Sequence, residues 1–392
     1  MSPVASSGGR SDRRAELLPA ELVPFIDDRF VGSCELFEEY VHRLVVQVVR
    51  NLGLDMAAHT PKQPGEIAAI SHLDPTRAPV TVAWLLAMLA SRGLATQDGG
   101  GRYVVTETLP DLNPREVLEA QQRHDPSALP SYRLAELAAE LYPEVLRGTV
   151  SGEAALLGQE RIGAWFDYFS NENVLYAINN RIGAIAAERA LGRDGGAVLE
   201  LGGGLASGTI AVLQRCAEAG RLAAVRSYRF TEIAPSFLRR GQRTLVGKFP
   251  GMPLTFGRLD MDQPFADAGI AEGAFGLVYG VNTLHVARDL EFTLAEIRRA
   301  LAPGGALVLS ECVRPFSGCP VYVEFMFNLL DAYRAPRLVD PWRPNGGFLT
   351  PEHWTEALAA CGFHNVAVYP DIARLREAYP SFVVAAISAV SG

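Results

Sequence analysis

His285 and Glu311 are the two residues of this 392-residue chain whose types and spacing most favour proton transfer. They bracket a segment whose pattern indicates a strand exit, a crossover helix and a further strand. An imidazole with a pKa near 6.5 suits general-base work at neutral pH, and a carboxylate on its far nitrogen would fix the tautomer. The alternatives are a helix-capping histidine and an exposed glutamate at a strand end.

The elements that must position this pair alternate between strands and helices after residue 195. Strands are predicted at 197–201, 227–232, 253–259, 275–281 and 306–312, with helices at 207–219, 235–247 and 288–302. This alternation is typical of a doubly wound parallel sheet. A helix at 351–361 precedes strands at 364–370 and 381–389, whose short link predicts an antiparallel hairpin or separate strands. The expected fold class is therefore α/β.

Acidic and glycine residues follow the predicted strands, where ligands of such sheets bind. The candidate cofactor residues are Glu200, Gly202, Gly204, Glu232, Asp260, Met261 and Asn282. Glycines let a turn pass close beneath a ligand, and carboxylates can accept ribose or amino hydrogens. The dinucleotide pattern G-x-G-x-x-G fails at Ser207. A structural turn and solvated loop residues are the alternatives, but the acidic set favours a cationic ligand without phosphate.

Aromatic residues are dense in two segments that could cover such a site. The candidate substrate residues are Trp165, Phe169, Tyr176, Asn180, Tyr322 and Phe325. Each alone could be a core residue, since aromatic side chains dominate cores. As a set they predict a sizeable, mostly apolar substrate.

The first 150 residues are mostly helical, with helices predicted at 34–53, 64–74 and 78–94 and a hairpin at 95–109. Two helices and a β-wing are typical of a winged helix. A DNA-reading helix needs basic or amide side chains, and residues 79–91 contain no basic residue. With a formal charge of −8, the chain is not expected to bind nucleic acid. We expect this helix to form a dimer interface or a pocket wall.

Composition indicates a soluble cytoplasmic protein. Residues 1–20 have no apolar core of a signal peptide and are expected to be disordered, and no apolar run is long enough for a membrane span. The five scattered cysteines suggest reduced thiols. Because no local Cys/His cluster occurs, no metal site is expected.

Residues from about 160 to 370 resemble the C-methyltransferase domains of polyketide synthases. The resemblance is carried by "YRFTEIAPSFL", "LDMD" and "GVNTLHVARDLEFTLAEIRRALAPGGALVLSE". The N-terminal region resembles the dimerising domain of small-molecule O-methyltransferases. We expect the chain to be free-standing, which would depart from the synthases.

The resemblance implies a class I fold and S-adenosylmethionine as cofactor. It implies C-methylation of an acidic carbon in natural-product biosynthesis, with His285 as base and Glu311 as its orienter. The substrate would be a small molecule or a carrier-bound intermediate. Together with the composition of the tail at 1–20, it predicts a lid and dimerisation domain at 21–150 that forms a homodimer, and a catalytic domain at 151–392. O-methylation of a phenol or enol is the closest alternative. A ligand-sensing regulator and a nicotinamide oxidoreductase are the others.

Overall fold

A seven-stranded sheet forms the centre of the catalytic region in the computed structural model, which describes residues 16–192 and 195–392. The strands run in the order β5-β4-β3-β6-β7-β9-β8. They are β3 (Gly196–Leu201), β4 (Val225–Thr231), β5 (Leu254–Gly257), β6 (Phe275–Val281), β7 (Leu301–Cys312), β8 (Phe363–Tyr369) and β9 (Val384–Ser391). Strands β3 to β7 pair in parallel. Strand β9 is antiparallel to both β7 and β8.

The predicted fold class is confirmed. Strand β6 is almost wholly buried, as expected for a parallel strand with helices on both faces. The order of the strands reverses between β3 and β6, so their carboxyl ends leave a crevice there. The antiparallel end of the sheet is also present, although its link contains a helix, Ile372–Ala378, that the sequence pattern did not predict.

Sixteen helices lie within the described residues. They are α1 (Asp28–Asn51), α2 (Leu54–Ala57), α3 (Pro64–Ile70), α4 (Ala78–Ser91), α5 (Pro114–His124), α6 (Leu129–Leu146), α7 (Gly152–Leu157), α8 (Ile162–Tyr168), α9 (Val174–Ala190), α10 (Ser207–Glu218), α11 (Pro235–Lys248), α12 (Leu290–Ala300), α13 (Glu324–Phe327), α14 (Asp331–Arg334), α15 (Pro351–Ala360) and α16 (Ile372–Ala378). None of these helices has the length and apolar character needed to cross a bilayer.

The N-terminal region is helical, as predicted, and carries a short hairpin. Strands β1 (Thr96–Gln97) and β2 (Tyr103–Val104) pair antiparallel. Helix α4 buries residues on more than one side, so its predicted packing role suits its apolar sequence. Of the predicted tail, residues 1–15 lie outside the described residues. Leu18, in the described part of that tail, is 5% exposed, whereas Glu16 and Ala20 are exposed, and the boundary at residue 20 stays a prediction.

Candidate functional site

A cavity of about 280 Å³ lies at the carboxyl ends of β3, β4 and β6. This is the crevice that the strand order predicts. It is lined by Leu157, Trp165, Phe169, Tyr176, Asn180, Glu200, Gly202, Gly203, Gly204, Leu205, Ser207, Gly208, Glu232, Ile233, Ala234, Phe237, Val281, Asn282, Thr283, His285, Val286, Phe327 and Leu330. The structure therefore brings most of the predicted site residues together around one space.

The glycine loop after β3 is packed too tightly for side chains. Gly202 and Gly204 have φ of +60° and +54°, which favour glycine. A Cβ on Gly203 would lie 2.2 Å from the ring of Phe230, and one on Gly202 would lie 2.7 Å from Thr283. The backbone of the loop thus forms the floor of the cavity and packs directly against Phe230 and Thr283.

Glu200 is a buried carboxyl at the end of β3. Tyr228 donates its hydroxyl hydrogen to the Oε2 atom at 3.0 Å, and the Thr209 hydroxyl donates to the same oxygen. Burial raises the pKa of Glu200 to about 8, against the opposing effect of these two hydrogen bonds. A cation in the cavity would favour the ionised form of this carboxyl.

Glu232 lies at the end of β4, opposite the glycine loop. Its oxygens accept hydrogen bonds from the backbone amides of Gly204 and Ala234, both at 2.9 Å. Burial raises the pKa of Glu232, and these amide donors oppose the rise. Because each carboxylate oxygen can accept more than one hydrogen bond, both can still accept from a pair of neighbouring hydroxyls.

The chemistry of this lining fits S-adenosylmethionine. It contains two glutamates and neither lysine nor arginine, all within the described residues, which suits a cationic ligand without phosphate. Glu232 fits the ribose hydroxyls, and the glycine loop leaves room for the ligand backbone. The Oδ1 atom of Asn180 is buried without a hydrogen-bond partner, so it can accept from an ammonium group.

His285 and Glu311 are in direct contact. The Nδ1 atom of His285 lies 2.7 Å from Oε2 of Glu311, whose Oε1 accepts from the backbone amides of Thr283 and Leu284 at 3.1 and 3.0 Å. His285 is 3% exposed and Glu311 is fully buried. Three donors thus fix the carboxylate, and the carboxylate fixes the imidazole.

The alternative of a capping histidine does not describe this geometry. Helix α12 begins at Leu290, and its N-cap is Asp289, whose side chain accepts from the amide of Phe292 at 3.2 Å. His285 lies earlier, in a short 3-10 turn. Since Nδ1 lies against a carboxylate, which accepts hydrogen bonds, Nδ1 carries the ring proton and Nε2 is the nitrogen that remains unprotonated in the neutral ring.

A segment between β7 and α15, here called the covering segment (residues 313–350), closes over this histidine. The rings of Phe348 and Tyr333 lie 4.5 and 5.7 Å from the imidazole, centre to centre. Arg343 donates to the backbone oxygen of His285 at 3.0 Å. Phe327 stacks on Tyr333 and lines the cavity. The base candidate is therefore enclosed by apolar rings that exclude water.

A buried polar cluster centred on Glu324 ties the covering segment to the N-terminal region. Trp84 of helix α4 donates to Oε2 at 2.8 Å, and Tyr333 donates to Oε1 at 2.6 Å. Arg314 donates to Oε1 at 2.5 Å, and the amide of Val321 donates to Oε2 at 2.8 Å. Four donors satisfy one fully buried carboxylate, so we expect the cluster to hold these side chains in one arrangement.

Two predicted substrate residues, Tyr322 and Phe325, are not in the lining, and their contact with a substrate stays a prediction. The Tyr322 hydroxyl donates to the backbone oxygen of Ser381, and the Phe325 ring stacks on Tyr142. Both side chains are buried in the core on the side of the covering segment that does not line the cavity. Phe327 and Leu330 take the places expected of them.

Asp260 and Met261 follow β5 but do not line the cavity. Asp260 accepts from the amide of Asp262 at 3.0 Å, and the backbone oxygen of Met261 accepts from Thr293 at 3.0 Å. They lie at the same edge of the sheet as Glu232, because β5 pairs with β4. Their contact with a cofactor stays a prediction.

Asn282 lines the cavity, but its side chain is engaged with the protein. Its amide donates to Asn179 at 3.0 Å, and its Oδ1 accepts from the amide of Cys312 at 2.8 Å. With φ of +46°, it turns the chain from β6 towards His285. Asn282 thus holds the ends of β6 and β7 in register.

Sequence reasoning missed several lining residues. They are Leu157, Leu205, Ser207, Ile233, Phe237, Val286, Phe327 and Leu330. Ile233 and Phe237 belong to the "TEIAPSFL" stretch, and their position directly after Glu232 could have indicated them. Within residues 16–192 and 195–392, no group of three or more His, Cys, Asp or Glu is arranged to hold a metal ion.

Comparisons with known proteins agree with this geometry. Residues 200–309 match the methyltransferase domain family. Highly reducing polyketide synthase 2 of Gibberella zeae is 28% identical over 253 residues, which is 63% of this chain and 10% of that protein. The chain spans about a tenth of the length of the curated polyketide synthases it matches.

Solved structures share the fold over nearly the whole chain. The CurJ carbon methyltransferase matches with a TM-score of 0.76 and 21% identity, over 97% of this chain and 98% of that one. The CMeT domain of the citrinin polyketide synthase matches with a TM-score of 0.73 and 18% identity, over 100% of both chains. The chain therefore contains an S-adenosylmethionine-dependent methyltransferase domain, and its sequence is similar to that of polyketide synthases.

Proposed function

We propose that the enzyme methylates an acidic carbon of a small-molecule or carrier-bound, polyketide-like substrate. The observation that carries this proposal is the 2.7 Å contact between His285 Nδ1 and Glu311 Oε2 at the cavity wall. A carbon acid needs a base before it can attack a methyl group, whereas a stronger nucleophile can react without one. The relation to polyketide synthases supports this choice of substrate class.

The residues act in a simple order. S-adenosylmethionine supplies an electrophilic methyl group when it is bound. His285 would remove the proton of the acidic carbon through Nε2. The released C–H electron pair would form the new carbon–methyl bond as the bond from that methyl group to sulfur breaks, and the electron pair of the broken bond would stay on sulfur. Glu311 stabilises the imidazolium that results, without itself taking the proton. Alignment of carbon and methyl group by the cavity walls supplies the remaining rate enhancement.

The walls around this base are suited to a neutral, apolar chain. Trp165, Phe169 and Tyr176 contact one another's rings and form one side of the cavity. Phe327, whose ring lies 5.7 Å from that of Trp165 between centroids, and Leu330 extend this apolar lining. Burial of such a substrate would exclude water from the carbanion-like centre, which makes the base more effective.

Other expectations stay part of the proposal. These are the division into a region at 21–150 and a catalytic region at 151–392, a homodimer through the N-terminal region, and a cytoplasmic location. Light scattering at two protein concentrations would measure the oligomeric state. A monomer at both would contradict the dimer.

The decisive experiment locates the transferred methyl group. A panel of β-keto thioesters, keto acids and phenols is incubated with the enzyme and deuterated-methyl cofactor, and the product is analysed by mass spectrometry and NMR. We expect methylation at the carbon between two carbonyls. Methyl groups found only on oxygen would replace the proposal with O-methylation of a phenol or enol.

The role of the base is tested in the same assay. His285→Ala should retain cofactor binding but lose methyl transfer by roughly 10²–10⁴-fold. His364→Ala, which alters an exposed histidine on β8, is the matched control and should behave as the unaltered enzyme. Near-normal turnover of His285→Ala would contradict the proposed mechanism.

A further inference from the structure

Within the part of the chain that the structure describes, Arg343 is a fully buried arginine that forms no ion pair. Arg314 of the same covering segment is also buried, but it pairs with Glu324. Burial lowers the pKa of Arg343 to about 10, with Asp262 and Asp289 opposing the shift, so the group is charged at neutral pH. Because a buried charge without a partner lowers stability, the fold itself gains nothing from this arginine.

The hydrogen bond that its guanidinium makes ends on the proposed base. Nη2 of Arg343 donates to the backbone oxygen of His285 at 3.0 Å. In a continuing 3-10 turn, this oxygen would accept from the amide of Arg288. That amide donates instead to Oδ1 of Asp262 at 2.8 Å. Arg343 therefore occupies the place of a main-chain donor. Its Nε and Nη1 atoms are buried without a partner among residues 16–192 and 195–392.

His285 is thus held from two sides by different parts of the fold. Glu311, on strand β7, lies 2.7 Å from the ring nitrogen Nδ1. Arg343, in the covering segment, holds the main-chain oxygen. These two contacts lie on opposite sides of the Cα atom, so together they determine where Nε2 lies.

The loop that carries Arg343 is itself held by backbone hydrogen bonds. Val339 and Arg343 donate to each other's backbone oxygens at 3.0 and 2.6 Å. The backbone amide of Arg337 donates to the backbone oxygen of Arg288 at 2.7 Å. The covering segment therefore contacts the turn of His285 at two residues, and we expect its main chain to fix the position of the guanidinium.

An apolar side chain would fill this space at lower cost. Replacing buried charges by apolar residues of similar volume often leaves stability unchanged or raises it. A charged donor that lowers stability and contacts the base is typical of a site where geometry is favoured over stability.

We propose that Arg343 is a positioning residue for methyl transfer, whose guanidinium holds the main chain of His285 so that Nε2 is directed at the bound substrate. The inference rests on the proposed function, because Arg343 acts through the base. It makes the covering segment part of the catalytic apparatus as well as a wall of the site.

Substitutions separate positioning from a structural role. Arg343→Met keeps the length of the side chain and removes its charge and donors. With an acetoacetyl thioester of N-acetylcysteamine as substrate, we expect kcat to fall roughly 10–10²-fold, with KM and the free energy of unfolding in urea not reduced. Arg343→Lys, which keeps the charge and a donor, should recover part of this loss. Arg337→Met, in the same segment but with a side chain 54% exposed, is the matched control and should keep the rate of the unaltered enzyme.

A double-mutant cycle tests whether Arg343 acts through the base. In the His285→Ala background, Arg343→Met should cause no further loss of single-turnover rate, because the base it positions is absent. The same 10–10²-fold loss in both backgrounds would overturn the inference. A lower free energy of unfolding in Arg343→Met, without recovery of kcat in Arg343→Lys, would also overturn it, since the residue would then be structural.

NMR of the histidine rings tests the geometry without turnover. In protein labelled with ¹³C and ¹⁵N at histidine, the ring signal that His285→Ala removes identifies His285. We expect this signal to be single in the unaltered enzyme and in Arg337→Met, and broadened or split in Arg343→Met. An unchanged signal in Arg343→Met would refute the positioning role.

The outcomes also separate this inference from the proposed function. Normal methyl transfer by Arg343→Met, with His285→Ala inactive, would refute the inference and leave the function. A loss of rate in Arg343→Met that requires His285, with methyl groups found only on oxygen, would leave the positioning role and refute methylation at carbon.

Discussion

Replacing Glu311 by Gln keeps the shape of the side chain and changes only its hydrogen-bonding pattern. The two backbone amides of Thr283 and Leu284 converge on Oε1, and His285 Nδ1 lies at Oε2. An amide can accept at only one of these two positions. If the NH₂ group of the glutamine faced the two backbone amides, donors would face donors, and both backbone amides would lose their acceptor. Each unsatisfied group would cost about 1–3 kcal/mol.

The amide oxygen of the variant is therefore expected to stay with the backbone, with its NH₂ towards Nδ1. Nδ1 of His285 must then accept, so the imidazole proton moves to Nε2 and the cavity-facing nitrogen is no longer a base. Loss of a positioned general base costs roughly 10²–10⁴ in rate, or about 2.7–5.4 kcal/mol in the barrier. Glu200 and Glu232 are unaltered, so cofactor affinity should not change.

Single-turnover methyl transfer at saturating cofactor measures the rate, and calorimetry with S-adenosylhomocysteine measures cofactor binding. We expect the rate to fall by at least about 10² with binding unchanged. If the methyl-transfer rate of Glu311→Gln lies within a few-fold of that of the unaltered enzyme, Glu311 does not fix the tautomer of a catalytic base. A parallel loss of cofactor affinity would show that Glu311 holds the cofactor site and does not orient a base.

Three other changes test the cofactor loop, a buried carboxyl and the covering segment. Gly203→Ala should weaken cofactor binding at least about tenfold, because the added methyl group meets an aromatic ring of β4. Gly247→Ala, whose methyl group would lie in open space, is the control. Equal cofactor affinities of the two variants in calorimetry would contradict this role of the glycine loop. Burial raises the pKa of Glu200 to about 8 from 4.5, so the folded protein holds a proton that the unfolded chain releases. The free energy of unfolding should therefore fall as the pH rises from about 4.5 to 8. Glu200→Gln, measured by urea unfolding at several pH values, should remove this decrease. The same decrease in the variant would mean that Glu200 does not cause it. Trp84→Phe removes the 2.8 Å hydrogen bond to Glu324 and should lower the free energy of unfolding by about 1–3 kcal/mol. An unchanged free energy in urea unfolding would mean that this hydrogen bond does not stabilise the fold.

The sheet and the contact between His285 and Glu311 could be predicted because both follow from strand order. Residues that end neighbouring parallel strands lie at one edge, and β6 and β7 are neighbours. The same reasoning located Glu200 and Glu232. Strand order alone does not predict which of the side chains at this edge line the cavity.

The covering segment shows where sequence reasoning fails. Its aromatic residues are dense, but helix α13 has only four residues, too few for a periodicity that distinguishes its faces. Tyr322 and Phe325 were therefore assigned to the wall that Phe327 and Leu330 form. Glu324 gave no sequence signal, because its donors do not follow a helical or strand spacing, and one of them, Trp84, comes from a distant part of the chain.

The buried cluster around Glu324 fastens the covering segment to helix α4. Arg314 and Tyr333 lie in the covering segment with Glu324, so swinging that segment outward as a unit would break the hydrogen bond from Trp84, which contributes about 1.5–3 kcal/mol. Thr81 and Tyr142 add hydrogen bonds to the backbone oxygens of Asn328 and Phe325 in the same segment. The position of the aromatic rings over His285 therefore depends on residues that lie more than 140 positions earlier in the chain.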